Sequence, residues 1–325
     1  MDEAAHPSVF TIPHHRAFAD ALAAGLIAQH KGDPLALARG VILLPNNRAI
    51  RAITDAFVRR AGGGLLLPRL IAIGDPELDE RLGGMLDPIG NDEPVPPAVE
   101  PVARRMMLAR LIEQTRDEAG EPVDAAEAIR LAGDLARTLD QMLVEEVAPR
   151  RLADAVAPEL SEHWQASLRI LETILGRWPE TLRSIGRIDL ADRRNRLLDR
   201  AAWRWREAPP PGFVVAAGVT MPAPAVARLL RTISRLPMGS IVLPGIDCEM
   251  PEDEWRALGP HEPDPETGRA RPAIETHPQY QLKLLLDRMD VARGEVRRWR
   301  WGGRADAPAV HVEVHVDVVE GLQDV

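Results

Sequence analysis

Two strand ends that run into helix starts are the places where this sequence could build a nucleotide site. At the first, residues 9–12 read as a short strand, and Pro13, His14, His15, Arg16 and Ala17 follow it. A helix then carries Phe18, Leu22 and Leu26 at four-residue spacing. A nucleotide-binding loop at such a place takes the form G-x-x-x-x-G-K-S/T, so that backbone amides approach phosphate and a lysine meets the terminal phosphates. This loop has neither glycine nor lysine. His14, His15 and Arg16 offer groups to an anion at the helix start, but without the glycine backbone that lets a chain wrap phosphate closely. At the second strand end the sequence is Ala216-Ala217-Gly218-Val219-Thr220. A nucleotide hydrolase sets acids there to hold magnesium and orient water, and no acid is present.

A third strand end has a different chemistry. Asn46, Asn47, Arg48 and Arg51 lie between an apolar run and a helix, where side-chain amides and guanidinium groups suit phosphate oxygens. They are the candidate nucleic-acid contacts, and helix capping by Asn47 with surface arginines is the structural alternative. Arg193, Arg194, Arg196 and Arg200 crowd one later helix, where a solvated face is the default reading and phosphate contact the alternative. Glu145 with Glu146 and Asp189 with Asp192 are acid pairs that helix ends and solvated faces account for without catalysis. In the tail, His311, Glu313, His315 and Asp317 alternate with valines from Val310 to Val318. On a strand these polar groups share a face, but same-face neighbours about 7 Å apart converge poorly on one small ion, so a solvated strand is the reading adopted. No signature joins a serine or the single cysteine, Cys248, to a histidine and an acid. No residue is assigned a catalytic, cofactor-binding or metal-binding role.

The elements that would position these groups follow from periodicity. Residues 41–44, Val-Ile-Leu-Leu, are continuously apolar and stop at Pro45, as a buried parallel strand does. A helix is expected over 49–60, and a further strand within 65–73, delayed by Pro68. Residues 80–97 are dense in Gly, Pro and acids, and the next hundred show only helical spacing. One stripe there is Ala128, Ala132, Leu135, Leu139 and Met142; a second is Trp164, Leu168, Leu171, Leu175 and Trp178; a third, over 191–206, is Leu198, Ala202 and Trp205. After Pro209-Pro210-Pro211 the α/β alternation resumes with strand 213–217, a helix bearing Val226, Leu229, Leu230 and Ile233, and strand 241–243. Residues 249–278 read as loop, and a last helix, 279–291, leads to Trp299 and Trp301. Strands alternating with helices imply a parallel sheet covered on both faces with right-handed crossovers.

The bulk numbers narrow the class. With 325 residues, 45% of them hydrophobic, the chain has material for a sizeable core. One cysteine excludes a disulfide framework within this chain, and no apolar run approaches a membrane span. The start, MDEAAHPSVF, does not read as a signal peptide, so the cytoplasm is the expected location. A net charge of −9 means that any nucleic-acid contact must come from a local basic groove.

An ordered set of segments resembles the AddB family of double-strand break repair proteins, in its alphaproteobacterial form. It comprises Val9-Phe10-Thr11-Ile12-Pro13; residues 41–49 with Arg51 and Phe57; Leu66-Leu67-Pro68-Arg69 with Gly74-Asp75; and Arg193-Arg194-Asn195-Arg196-Leu197-Leu198. Further along come residues 212–218, Val242-Leu243-Pro244-Gly245, and His277-Pro278-Gln279-Tyr280 with Leu282-Lys283. The resemblance spans about residues 8–300 and implies an α/β fold: a degenerate P-loop, superfamily 1 helicase-like parallel sheet interrupted by an all-helical inserted subdomain. The expected divisions are 1–80 and 209–301 for the α/β part, 81–208 for the insertion, and 302–325 for a divergent tail. It implies AddA and double-stranded DNA ends as partners, no membrane, and a part in end resection for recombination, including scanning for a recombination hotspot. ATP and magnesium belong to AddA. The family's nuclease domain and iron–sulfur cluster lie beyond this chain, so Cys248 is not carried over as a ligand. The break in resemblance after about Trp301 suggests a truncated or frame-shifted reading frame. A non-catalytic interaction scaffold without a DNA role is the alternative.

Overall fold

The computed structural model describes residues 7–33, 35–74, 94–148 and 162–301, with the side chains of 162–169 excepted. Its centre is a six-stranded sheet of β1 (Val9–Ile12), β2 (Val41–Leu44), β3 (Arg69–Ala72), β4 (Val214–Ala217), β5 (Gly239–Pro244) and β6 (Arg297–Arg298). The spatial order is β3-β2-β4-β5-β1-β6, and every pairing is parallel.

Because side chains alternate along a strand, each short strand feeds two cores. Leu43, Val214, Ala216, Ile241 and Leu243 enter one; Ile42, Leu44, Val215, Ala217 and Val242 enter the other. This double burial explains why the strands read as unbroken apolar runs rather than alternating ones. Helices α1 (Phe18–Gln29) and α2 (Asn47–Ala61) cover the second core with Leu22, Leu26, Ile53 and Phe57. Phe57 is fully enclosed, and truncating it to alanine would cost about 3–5 kcal/mol.

Strands β1, β2 and β3 step toward one edge of the sheet, whereas β4, β5 and β6 step toward the other. Right-handed crossovers then place the two sets of helices on opposite faces. Accordingly α7 (Pro224–Ser234) and α9 (Tyr280–Met289) lie in the first core, away from α1 and α2. Between β3 and β4 come α3 (Pro101–Glu118), α4 (Ala125–Val144), α5 (Glu162–Ser184) and α6 (Leu190–Glu207). Helices α3 to α5 share a separate core that includes Leu108, Ile112, Ala128, Ala132, Leu139, Leu175 and Trp178. Helix α6 instead sends Leu198, Ala201 and Ala202 into the sheet core.

Several expectations need correction. Helix α2 starts at Asn47, two residues before the expected 49, because Asn46 supplies the cap: its side-chain oxygen accepts from the Ala49 amide at 2.9 Å. The segment 249–278 is not wholly loop, since α8 (Glu252–Ala257) buries Trp255 there. Strand β6 was not foreseen. Its two residues are both exposed, so no apolar run announces it. Helix α3 also lacks a clean stripe, because Arg104 occupies one of its buried positions. The side chains of Trp164 and Leu168, residues 75–93 and the tail 302–325 with its alternating valines lie outside the described residues. Among the described residues no helix is long and apolar enough to cross a membrane.

Candidate nucleic-acid interface

All six strands are parallel, so their carboxyl ends share one edge of the sheet. Neighbouring strands whose outgoing connections leave for opposite faces open a crevice there, the usual place for ligands in such sheets. Two neighbouring pairs meet this condition, β2 with β4 and β1 with β5.

The crevice at β1 and β5 is where the loop lacking glycines lies. The His14 ring packs against Gly245, whose φ of +57° only glycine adopts without strain; a Cβ there would collide with the ring. Arg16 turns away from the crevice: one guanidinium nitrogen donates to the Trp299 carbonyl at 2.8 Å and the other to the Trp301 carbonyl. Trp299 is itself locked in place. Its indole N–H donates to the Ala21 carbonyl at 2.9 Å, and its ring meets Phe10 edge-on at 5.4 Å. Thus the cation nearest the expected phosphate position holds the chain's far end against β1 and α1.

Two polar side chains brace the β5 side. The buried Thr11 hydroxyl oxygen accepts from the Ile246 amide at 2.9 Å. Gln279 donates to the Gly245 carbonyl at 2.9 Å and accepts from the Asp247 amide at 3.1 Å, fixing the β5 turn to the start of α9. In the sequence Gln279 marks only the start of the last helix and Thr11 lies within the first strand, apart from their places in the resemblance. A threonine inside an otherwise apolar strand is the sequence signal that could have marked the second of these as a hydrogen-bonding position.

At the β2 and β4 crevice the candidate residues come together on one helix start. Asn46 and Asn47 form the first step of α2, and Arg48 and Arg51 stand exposed on its first turn. Asn46 is committed to capping and Asn47 has an interaction within the protein, whereas Arg48 and Arg51 have no ion-pair or hydrogen-bond partner among the described residues. Facing them, Gly218 turns at φ +67° beside Phe18, and Gly74 passes so close to the Pro45 carbonyl that a Cβ would strike it. Two exposed guanidinium groups thus stand at this end of the sheet without a partner among the described residues.

The remaining candidates are engaged elsewhere. Arg196 pairs with Asp192 at 2.8 Å one helical turn away, and Arg193, Arg194 and Arg200 also have partners in the protein. Glu145 receives Arg288 at 2.8 Å, and Glu146 receives Arg228 at 2.5 Å, which holds the Glu146 carboxyl below its ordinary range. Asp189 is buried in the helical region: Trp178 Nε1 donates to it at 2.9 Å, and Arg104 lies 2.7 Å away as a close ion pair rather than an aligned hydrogen bond. Burial pushes its carboxyl up, against the opposing pull of Arg104. Cys248 is half-buried, and burial pushes its thiol up too, away from the reactive thiolate. Among the described residues no group of three or more His, Cys, Asp or Glu side chains is placed to hold a metal. The sequence matches no protein-family model and no curated protein.

Proposed function

We propose that this chain is a non-hydrolysing, helicase-like module that touches DNA, the front part of an AddB-type subunit acting with AddA on broken ends in the cytoplasm. In this reading the parallel sheet is a decayed P-loop domain, and residues 81–208 are a helical insertion in it. ATP and magnesium would act in AddA, with resection for recombination as the outcome. The observation that carries the proposal is the pair Arg48 and Arg51, exposed and unpaired at a helix start over a crevice at the sheet's carboxyl edge. Partial positive charge from the free amides of the first helical turn adds to theirs, which suits a phosphate backbone. The β1 loop supports the other half. With His14 seated on Gly245 and Arg16 bonded to backbone carbonyls, that loop is built to brace the fold rather than to cradle a triphosphate.

The test is binding of a blunt DNA duplex by the full chain, alone and with AddA, at two or more salt concentrations. Replacing Arg48 and Arg51 with alanine should weaken binding and reduce the slope of log affinity against log salt by about 1.8, from two lost phosphate contacts. ATP turnover by the chain alone should be absent. An unchanged slope in the double variant, or turnover by a purified sample, would overturn the reading.

A further inference from the structure

Away from the carboxyl edge, α6 and α7 flank a groove of about 790 Å³ that neither crevice explains. Its lining joins the apolar Ala202, Leu236 and Pro237 to the carboxylate of Asp199. Trp203 stands on its rim with half of its surface exposed, an unusual position for so large an aromatic. Around it are Arg206 from the last turn of α6, Arg228 and Arg231 from α7, and Arg235 just past its end. Arg228, Arg231 and Arg235, spaced three and four apart, continue one helix face in a row about 10 Å long.

The local charge is positive although the chain is acidic. Arg228 is taken up by Glu146 and Asp199, whereas Arg231 and Arg235 share the single carboxylate of Asp290 at 2.7 and 3.5 Å. Arg206 has no ion-pair or hydrogen-bond partner among the described residues. Four guanidinium groups thus face three carboxylates, and the excess lies beside the exposed indole. An exposed flat ring next to under-compensated guanidinium groups is suited to a base stacked on the ring with its phosphate on the arginines.

We infer that this groove binds single-stranded nucleic acid, Trp203 stacking a base while Arg206 and the Arg231–Arg235 pair take phosphates. The inference rests on the nucleic-acid reading above and gives it a second surface, distinct from Arg48 and Arg51. A protein partner is the less favoured occupant, because a contact of that kind would leave the excess guanidinium charge to be matched by acids that nothing in the groove specifies.

The experiment is fluorescence anisotropy of a labelled twenty-nucleotide oligothymidylate with the full chain. Trp203→Ala should weaken binding about tenfold and Trp203→Phe should largely retain it, in line with stacking. Arg206→Ala should lower the salt slope by about 0.7, the value for one phosphate of a single strand. Thymidine monophosphate should compete poorly; competition equal to that of the oligonucleotide would assign the site to free nucleotide and overturn the strand inference. The groove variants are all at exposed positions, 203 and 206, and circular dichroism checks that they fold. Wild-type binding by Trp203→Ala and Arg206→Ala, with loss in the Arg48 and Arg51 double variant, would sink the groove and leave the proposed function standing. Failure of the wild-type chain to bind any DNA would sink both and leave the groove to a protein partner.

Discussion

Replacing Asp189 with asparagine sets two electrostatic effects against each other, and the structure says which should win. The carboxylate is 6% exposed and faces Arg104, itself 8% exposed, with Trp178 Nε1 donating to it. If the ion pair dominated, removing the charge would strand a buried guanidinium and cost about 3–5 kcal/mol. Arg104 has a second carboxylate, however, Asp140 at 2.9 Å, and its contact with Asp189 is poorly aligned. Burial accordingly raises the Asp189 carboxyl above its ordinary value despite Arg104. Folding therefore shifts the balance toward the neutral form relative to an exposed carboxylate, and an amide of the same shape keeps the acceptor for Trp178. Asp189→Asn should leave stability at pH 7 within about 1 kcal/mol of wild type, whereas Asp189→Leu, which strands the indole N–H, should lose about 1–3 kcal/mol. The pH dependence has a definite sign. A carboxyl raised on folding binds protons more readily in the native state, so its contribution to stability falls as pH rises through the raised value and recovers as pH drops. Wild type should gain on Asp189→Asn as pH falls from 7 toward the ordinary carboxylate range. Urea midpoints followed by far-ultraviolet circular dichroism, with the slope checked for constancy, give the comparison. A loss of 3 kcal/mol or more in Asp189→Asn at pH 7, or a wild type that loses stability relative to Asp189→Asn on acidification, would refute the argument.

Two further changes test how the crevices are built. Asn46→Ala removes the cap of α2 and should cost about 1 kcal/mol in the same denaturation assay, whereas Asn47→Ala, at the first helical residue, should cost less. Gly245→Ala puts a Cβ into the His14 ring at a left-handed turn and should cost about 1–2 kcal/mol from backbone conformation alone, with a steric part added. Adding His14→Ala should recover the steric part only, and full recovery by that second change would show that the turn itself is not strained.

The sequence by itself determined the alternation of strands and helices. Strands that must bury both faces have to be apolar throughout, and Val41 to Leu44 and Val214 to Ala217 are short enough to be nothing else. The stripe from Ala128 to Met142 was legible for the complementary reason, that a helix covering one core needs one apolar face. Legibility failed where polar residues do structural work. Arg104 breaks the pattern of α3 because its charge is met by Asp140 and Asp189 from other helices, and β6 exists because Trp299 anchors two exposed arginines beside β1. The candidate site divides in the same way. Residue types marked Asn46, Asn47, Arg48 and Arg51 as phosphate-compatible, but sequence could not say that Asn46 is spent on a cap while Arg48 and Arg51 stay free. Nor could it show that Arg16 is tied to Trp299 and Trp301, or that α6 and α7 bring Trp203 and Arg206 beside Arg231 and Arg235. Periodicity is a local property that burial imposes on each element separately, whereas pairing of charges and the walls of a groove depend on which distant elements meet, and only the tertiary fold decides that.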